Sequence, residues 1–112
     1  MPSPYRWLTS PSHFGNALQP NWKPATPEQA WELAAVKQQH ELSLKVREWK
    51  RINRRTDKTL AALLGKKEGE TVARYLRGEV ALDLRTYNHL AQLVGKSVTI
   101  ALTELSVDED DA

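Results

Sequence analysis

From Glu28 to Leu64 the chain contains neither proline nor glycine, and apolar residues recur at helical spacing. Trp31, Leu33, Ala34 and Val36 predict a first amphipathic helix running to about His40. Leu42, Val46, Trp49 and Ile52 continue the period with basic residues between them. This pattern fits one long helix over 28–54 and, equally, two helices broken near 39–43. Thr26-Pro27-Glu28 reads as an N-cap with proline at the first helical position. Thr56 caps a second element with Leu60, Ala61, Leu63 and Leu64 as its apolar residues, stopped by Gly65. After the turn 66–69 a short helix is predicted over 70–77, with Val72, Tyr75 and Leu76, ended by Gly78. A last helix starts at Asp83 or Leu84, carries Leu84, Tyr87, Leu90, Ala91 and Val94, and stops at Gly95. Beyond it Val98, Ile100 and Leu102 alternate with small or hydroxylated residues, which predicts a short strand. Such a strand needs a partner, either the N-terminal arm or the same strand of a second subunit.

All six prolines lie in the first 27 residues, so that stretch cannot form long regular structure. It is nevertheless rich in apolar side chains: Tyr5, Trp7, Leu8, Phe14, Leu18 and Trp22. A purely polar arm would be expected to stay disordered. This one carries enough apolar surface to pack on the domain or on a second subunit. The chain therefore divides into a proline- and aromatic-rich arm (1–27), a helical domain (28–96), and a strand with an acidic tail (97–112).

Charge sharpens the picture. The net charge is only +2 over 112 residues, but residues 45–77 hold eleven of the sixteen lysines and arginines against four acidic residues. Asp108, Glu109, Asp110 and Asp111 stand in a row near the C-terminus. Separation of this kind suggests a basic face, although a basic run on its own is as readily a solvated helix surface. With no cysteine there are neither disulfides nor thiolate metal sites, which fits a reducing compartment. The N-terminus lacks the apolar run of a signal peptide, and no stretch approaches the roughly 20 apolar residues of a membrane span. A cytoplasmic location is expected.

Two short helices joined by a tight turn inside a basic window are the makings of a helix-turn-helix. The major groove admits one helix, whose side chains meet the edges of the bases, while the preceding helix fixes the angle of entry. A small residue belongs where the two helices touch, and Ala61 is there, with Gly65 four residues on.

Residues 46–95 resemble the lambda-repressor/Cro-like (Xre-type) helix-turn-helix family. Val46, Trp49 and Lys50 match its first helix. Thr56, Leu60, Ala61, Leu64 and Gly65 match its second, and Val72, Tyr75 and Gly78 its recognition helix. Leu84, Tyr87, Leu90, Ala91, Leu93 and Gly95 match the helix that follows. The sequence departs from the family in three places. Six residues separate Gly65 from Val72 where five are usual, Lys66 replaces an apolar residue, and Arg54 and Arg55 stand where a glycine and an apolar residue are common.

The resemblance implies an all-α domain of four or five helices that binds double-stranded DNA as a transcriptional regulator, a repressor acting as a homodimer. It puts the base-reading positions on Gly69, Glu70, Thr71 and Arg74. Arg74 is the foremost, since a guanidinium can bond guanine bidentately. Thr71 suits a phosphate or a thymine methyl. Glu70 suits a cytosine amine, or simply favours the helix N-terminus. Lys50, Lys58, Lys66, Lys67 and Arg77 are candidate backbone contacts, with Arg77 equally a solvent-facing cap of its helix. An alternative is an antitoxin-type protein whose arm masks a toxin while the same domain binds its operator.

Other features point to ordinary structure. Trp31 and Trp49, in apolar stripes, are expected in the core. His13, His40 and His89 are far apart and have no carboxylate or cysteine at ligand spacing, so surface or partly buried histidines are expected rather than a metal site. Nothing arranges a nucleophile and base, and no phosphate-binding loop occurs, so neither catalysis nor a cofactor is expected.

Overall fold

In a computed structural model, residues 3–65 and 69–95 are described. They form four α-helices: α1 (Ala30–Asn53), α2 (Asp57–Leu63), α3 (Gly69–Leu76) and α4 (Leu84–Val94). Three short 3₁₀ turns, Pro4–Trp7, Pro11–His13 and Pro27–Gln29, precede them. The architecture is all-α. The expected strand carrying Val98, Ile100 and Leu102 lies outside the described residues.

The stretch that sequence alone left as one helix or two is a single helix of 24 residues, about 36 Å long at 1.5 Å per residue. It spans two cores. Its second half sets Leu42 and Val46 among Leu60, Ala61, Val72, Leu76, Leu90 and Ala91, with Trp49 packed at the edge. Its first half sets Val36 and Leu33 against Trp7, Leu8 and Phe14 of the arm. Trp31 does not join either core and is 87% exposed. It lies five residues before Val36, which turns it about 140° around the helix from the buried stripe. The arm's Trp22 packs against this second core instead. Leu63 and Leu84, expected on apolar faces, are likewise largely exposed.

The arm folds back on its own domain. Lys23 N–H donates to Trp7 O (2.8 Å) and Thr9 N–H to Asn21 O (3.1 Å), closing a loop around the Leu8–Trp22 bridge. Ser3 Oγ donates to Glu79 O (2.7 Å) and Tyr5 N–H to Gly78 O (3.0 Å), tying the arm to the end of α3.

His40, expected on the surface or partly buried, is completely buried under this arm. Gly15 N–H donates to its Nδ1 (2.9 Å), so the proton sits on Nε2, which donates to Ala17 O (2.9 Å). The edges of Phe14 and Trp22 close around the ring. Burial pulls the imidazole below its ordinary pKa, outweighing the Ala17 carbonyl and the charge of Glu41.

The neighbouring Gln39 is also buried. Its Nε2 donates to Tyr75 O and Val80 O and its Oε1 accepts from Leu82 N–H, each at 2.9 Å. One side chain thus satisfies three backbone groups of the connection from α3 to α4, which would otherwise lose water without a replacement.

The helix ends are local chemistry. Thr59 N–H donates to Thr56 Oγ1 (3.2 Å) and Thr86 N–H to Asp83 Oδ1 (2.7 Å), N-capping α2 and α4. At the end of α3, Gly78 N–H donates to Tyr75 O (3.1 Å) and Glu79 N–H to Arg74 O (3.0 Å), with Gly78 left-handed at φ 73°. At the end of α1 the same pair of bonds recurs, from Arg54 N–H to Arg51 O (3.4 Å) and from Arg55 N–H to Lys50 O (2.9 Å). There the left-handed residue is Arg54, at φ 52° and ψ 48°. For a residue with a Cβ that conformation costs roughly 1–2 kcal/mol.

Candidate nucleic-acid interface

α2 and α3 pack closely, because the first residue of α3 has no side chain. A Cβ on Gly69 would stand 2.8 Å from Lys58 N and 3.0 Å from Lys58 Cα. The N-terminus of α3 therefore rests on the first turn of α2. Gly69, expected at a base, is turned toward that helix, and the absence of its side chain serves the packing. Val72 and Leu76 continue the inward face, both almost completely buried, with Leu60 and Ala61 opposite.

The outward edge carries Glu70, Arg74 and Arg77, all exposed, at spacings of four and three residues. Thr71 is half-buried beside them. Arg77 is held by carboxylates on either side: its Nη2 donates to Glu70 Oε1 (2.6 Å) and its Nε pairs closely with Glu79. These bonds raise its pKa further. Glu70 occupies the first turn of α3 and also takes part in this pair. Exposed pairs of this kind contribute little, since water and salt screen them, so a phosphate can compete for Arg77. Arg74 makes no ion pair among the described residues, and it is the residue of this edge whose guanidinium projects uncompensated.

The backbone-contact candidates separate into different roles. Lys50 joins α1 to α2 through a close ion pair with Asp57, and its side chain is only 19% exposed. That position makes it a strut rather than an outward cation. Lys58 is exposed on α2. Lys66 and Lys67 lie outside the described residues.

Several contributors had no signal in the sequence. Arg47 is half-buried beneath the end of α3, where its Nη2 reaches Leu76 O (3.4 Å), and burial pulls its pKa down. A cation suits that position because the carbonyls of a helix C-terminus carry partial negative charge. Arg85 lines a shallow cleft with Leu64, Gly65, Thr86 and His89, beside the end of α2. Both ring nitrogens of His40 are engaged in hydrogen bonds. Among the described residues no group of three or more His, Asp or Glu side chains gathers at metal-binding distance. No helix among them is long and apolar enough to cross a membrane.

No family model, no curated protein and no solved structure matches this chain.

Proposed function

We propose that this chain is a sequence-specific DNA-binding regulator that inserts α3 into the major groove of double-stranded DNA. The observation that carries this reading is the division of α3 into two faces. Gly69, Val72 and Leu76 are locked against the domain, while Arg74 is exposed on the other side, beside the paired Glu70 and Arg77. A helix held rigidly from behind, with a guanidinium on its exposed edge, suits direct reading of a guanine. The lambda-repressor-like resemblance of residues 46–95 agrees with this use of α2 and α3.

Eight residues of recognition helix bury too little surface for tight specific binding by one subunit. The reading therefore includes a two-fold homodimer on a palindrome, with half-sites about one helical turn apart. Repression in the cytoplasm is the expected role. The antitoxin alternative depended on an arm free to cover a partner. Trp7, Leu8 and Phe14 of the arm are buried in its own domain, so no specific observation favours it.

The test is selection of bound duplexes from a random-sequence library, followed by affinity measurements over a range of salt concentrations. A regulator of this kind enriches one palindromic motif and keeps its preference as binding weakens with salt. Recovery of unenriched sequence, or of none, rejects the reading.

A further inference from the structure

The α1–α2 corner combines strain with charge. Among the described residues five have positive φ, and four of these are glycines; the fifth is Arg54. α1 closes at Arg54 and Arg55 with the same two backbone bonds that Gly78 and Glu79 make at the end of α3. The backbone there would be more relaxed with glycine. The Arg54 side chain makes no bond to another described residue that would offset the strain. Its neighbours repeat the pattern: Arg55 and Lys58 are exposed, and neither has an ion pair among the described residues. The one acid of the corner, Asp57, is taken up by Lys50. The corner also borders the proposed interface, since the backbone of Lys58 is what Gly69 rests against at the start of α3.

Resting on the duplex-binding reading, we infer that Arg54, Arg55 and Lys58 form a second contact surface that grips the phosphate backbone of the same DNA beside α3. A cluster of cations with no acid left among them matches a polyanion. It carries no shape that would read bases, so it supplies affinity and register rather than sequence.

Arg54→Gly is the discriminating variant, because glycine suits the left-handed backbone there while the cation is removed. Binding of the full chain to a labelled duplex of random sequence, and to a selected one, is followed against KCl concentration by fluorescence anisotropy, alongside thermal melting. The variant is expected to melt at or above the parent's temperature. Its log K against log [KCl] should flatten by about 0.9, equivalent to roughly eight-fold weaker binding near 0.1 M salt on both duplexes. Arg55→Ala should act in the same direction. Arg51→Ala, whose guanidinium is already bonded to Glu48, should change the slope less. An unchanged slope in Arg54→Gly, with parent binding intact and Arg74→Ala impaired, overturns the corner contact alone. Absence of any duplex binding by the parent overturns the α3 reading, and the corner contact with it.

Discussion

The ring of Phe14 occupies the space that a side chain on Gly78 would need. A Cβ at residue 78 would lie 2.6 Å from Phe14 Cγ and 2.7 Å from Cδ1. The arm therefore seats on the C-terminal end of α3, the helix proposed to read DNA. Gly78→Ala combines a left-handed alanine, at roughly 1–2 kcal/mol, with overpacking, at about 1–3 kcal/mol. Chemical denaturation should show a loss of about 2–5 kcal/mol. Phe14→Ala should cost about 3–5 kcal/mol by leaving a cavity. The double variant should cost clearly less than the two losses together, because removing the ring makes room for the methyl. Strict additivity would show that the two residues do not touch in solution.

Protonation of His40 should destabilise the fold. Its folded pKa lies below the unfolded value, so between the two the unfolded chain binds more protons, and stability rises with pH. The contribution is fully present above the unfolded value of 6.5 and is lost as pH falls toward the folded pKa. The slope reaches at most about 1.4 kcal/mol per pH unit. A second proton would have to sit on Nδ1, facing the Gly15 N–H, with Lys37 seated over the Trp22 ring that itself abuts His40. Glu41 is the acid whose charge opposes the shift. Urea midpoints measured from pH 7.5 to 5 should fall for the parent and fall less for His40→Gln. Parallel curves for the two proteins would remove His40 as the titrating group.

Gln39 organises the connection between α3 and α4 from a distance of more than thirty residues along the chain. Gln39→Ala removes a partner from Tyr75 O, Val80 O and Leu82 N–H at once. At about 1–3 kcal/mol for a stranded buried group, partly relieved by entering water, a loss of about 2–4 kcal/mol is expected. Hydrogen exchange offers a local check: the Leu82 amide should lose protection well before those of Val72 and Leu90. Protection that falls evenly across all helices would indicate global destabilisation instead.

What could be read from sequence follows the range of the interaction. Thr56 as a cap, Asp83 or Leu84 as the start of the last helix, and Gly65 and Gly78 as stops depend on residues at most a few positions away, and those helix ends appear where expected. Ala61 at the contact of α2 with α3 was legible for the same reason. Trp31 was misplaced because apolar spacing in α1 merges two stripes, one for each core, and only the seat of the arm separates them. His40 and Gln39 are polar residues buried by partners 23 to 43 residues away, which no local pattern announces. Within the candidate interface, Arg74 was legible as an outward residue from its position relative to Val72 and Leu76. The carboxylates on either side of Arg77, and the turning of Gly69 toward α2, depend on the three-dimensional arrangement.

The pairing of Arg77 with Glu70 sets up the sharpest functional contrast on α3. Arg74→Ala should leave the melting temperature nearly unchanged, because the side chain is exposed and has no ion pair among the described residues. It should cost about 1–3 kcal/mol of discrimination at one base pair of a selected site, with little change on random duplex. Glu70→Gln should do the opposite on random duplex. Removing that carboxylate's charge weakens its hold on Arg77 and leaves α3 one unit more positive, so binding to every sequence should strengthen and the salt dependence should steepen. Anisotropy titrations of both variants on both duplexes decide the matter. If Glu70→Gln weakens binding to the selected site alone, then Glu70 itself meets a base, as a carboxylate facing a cytosine amine would.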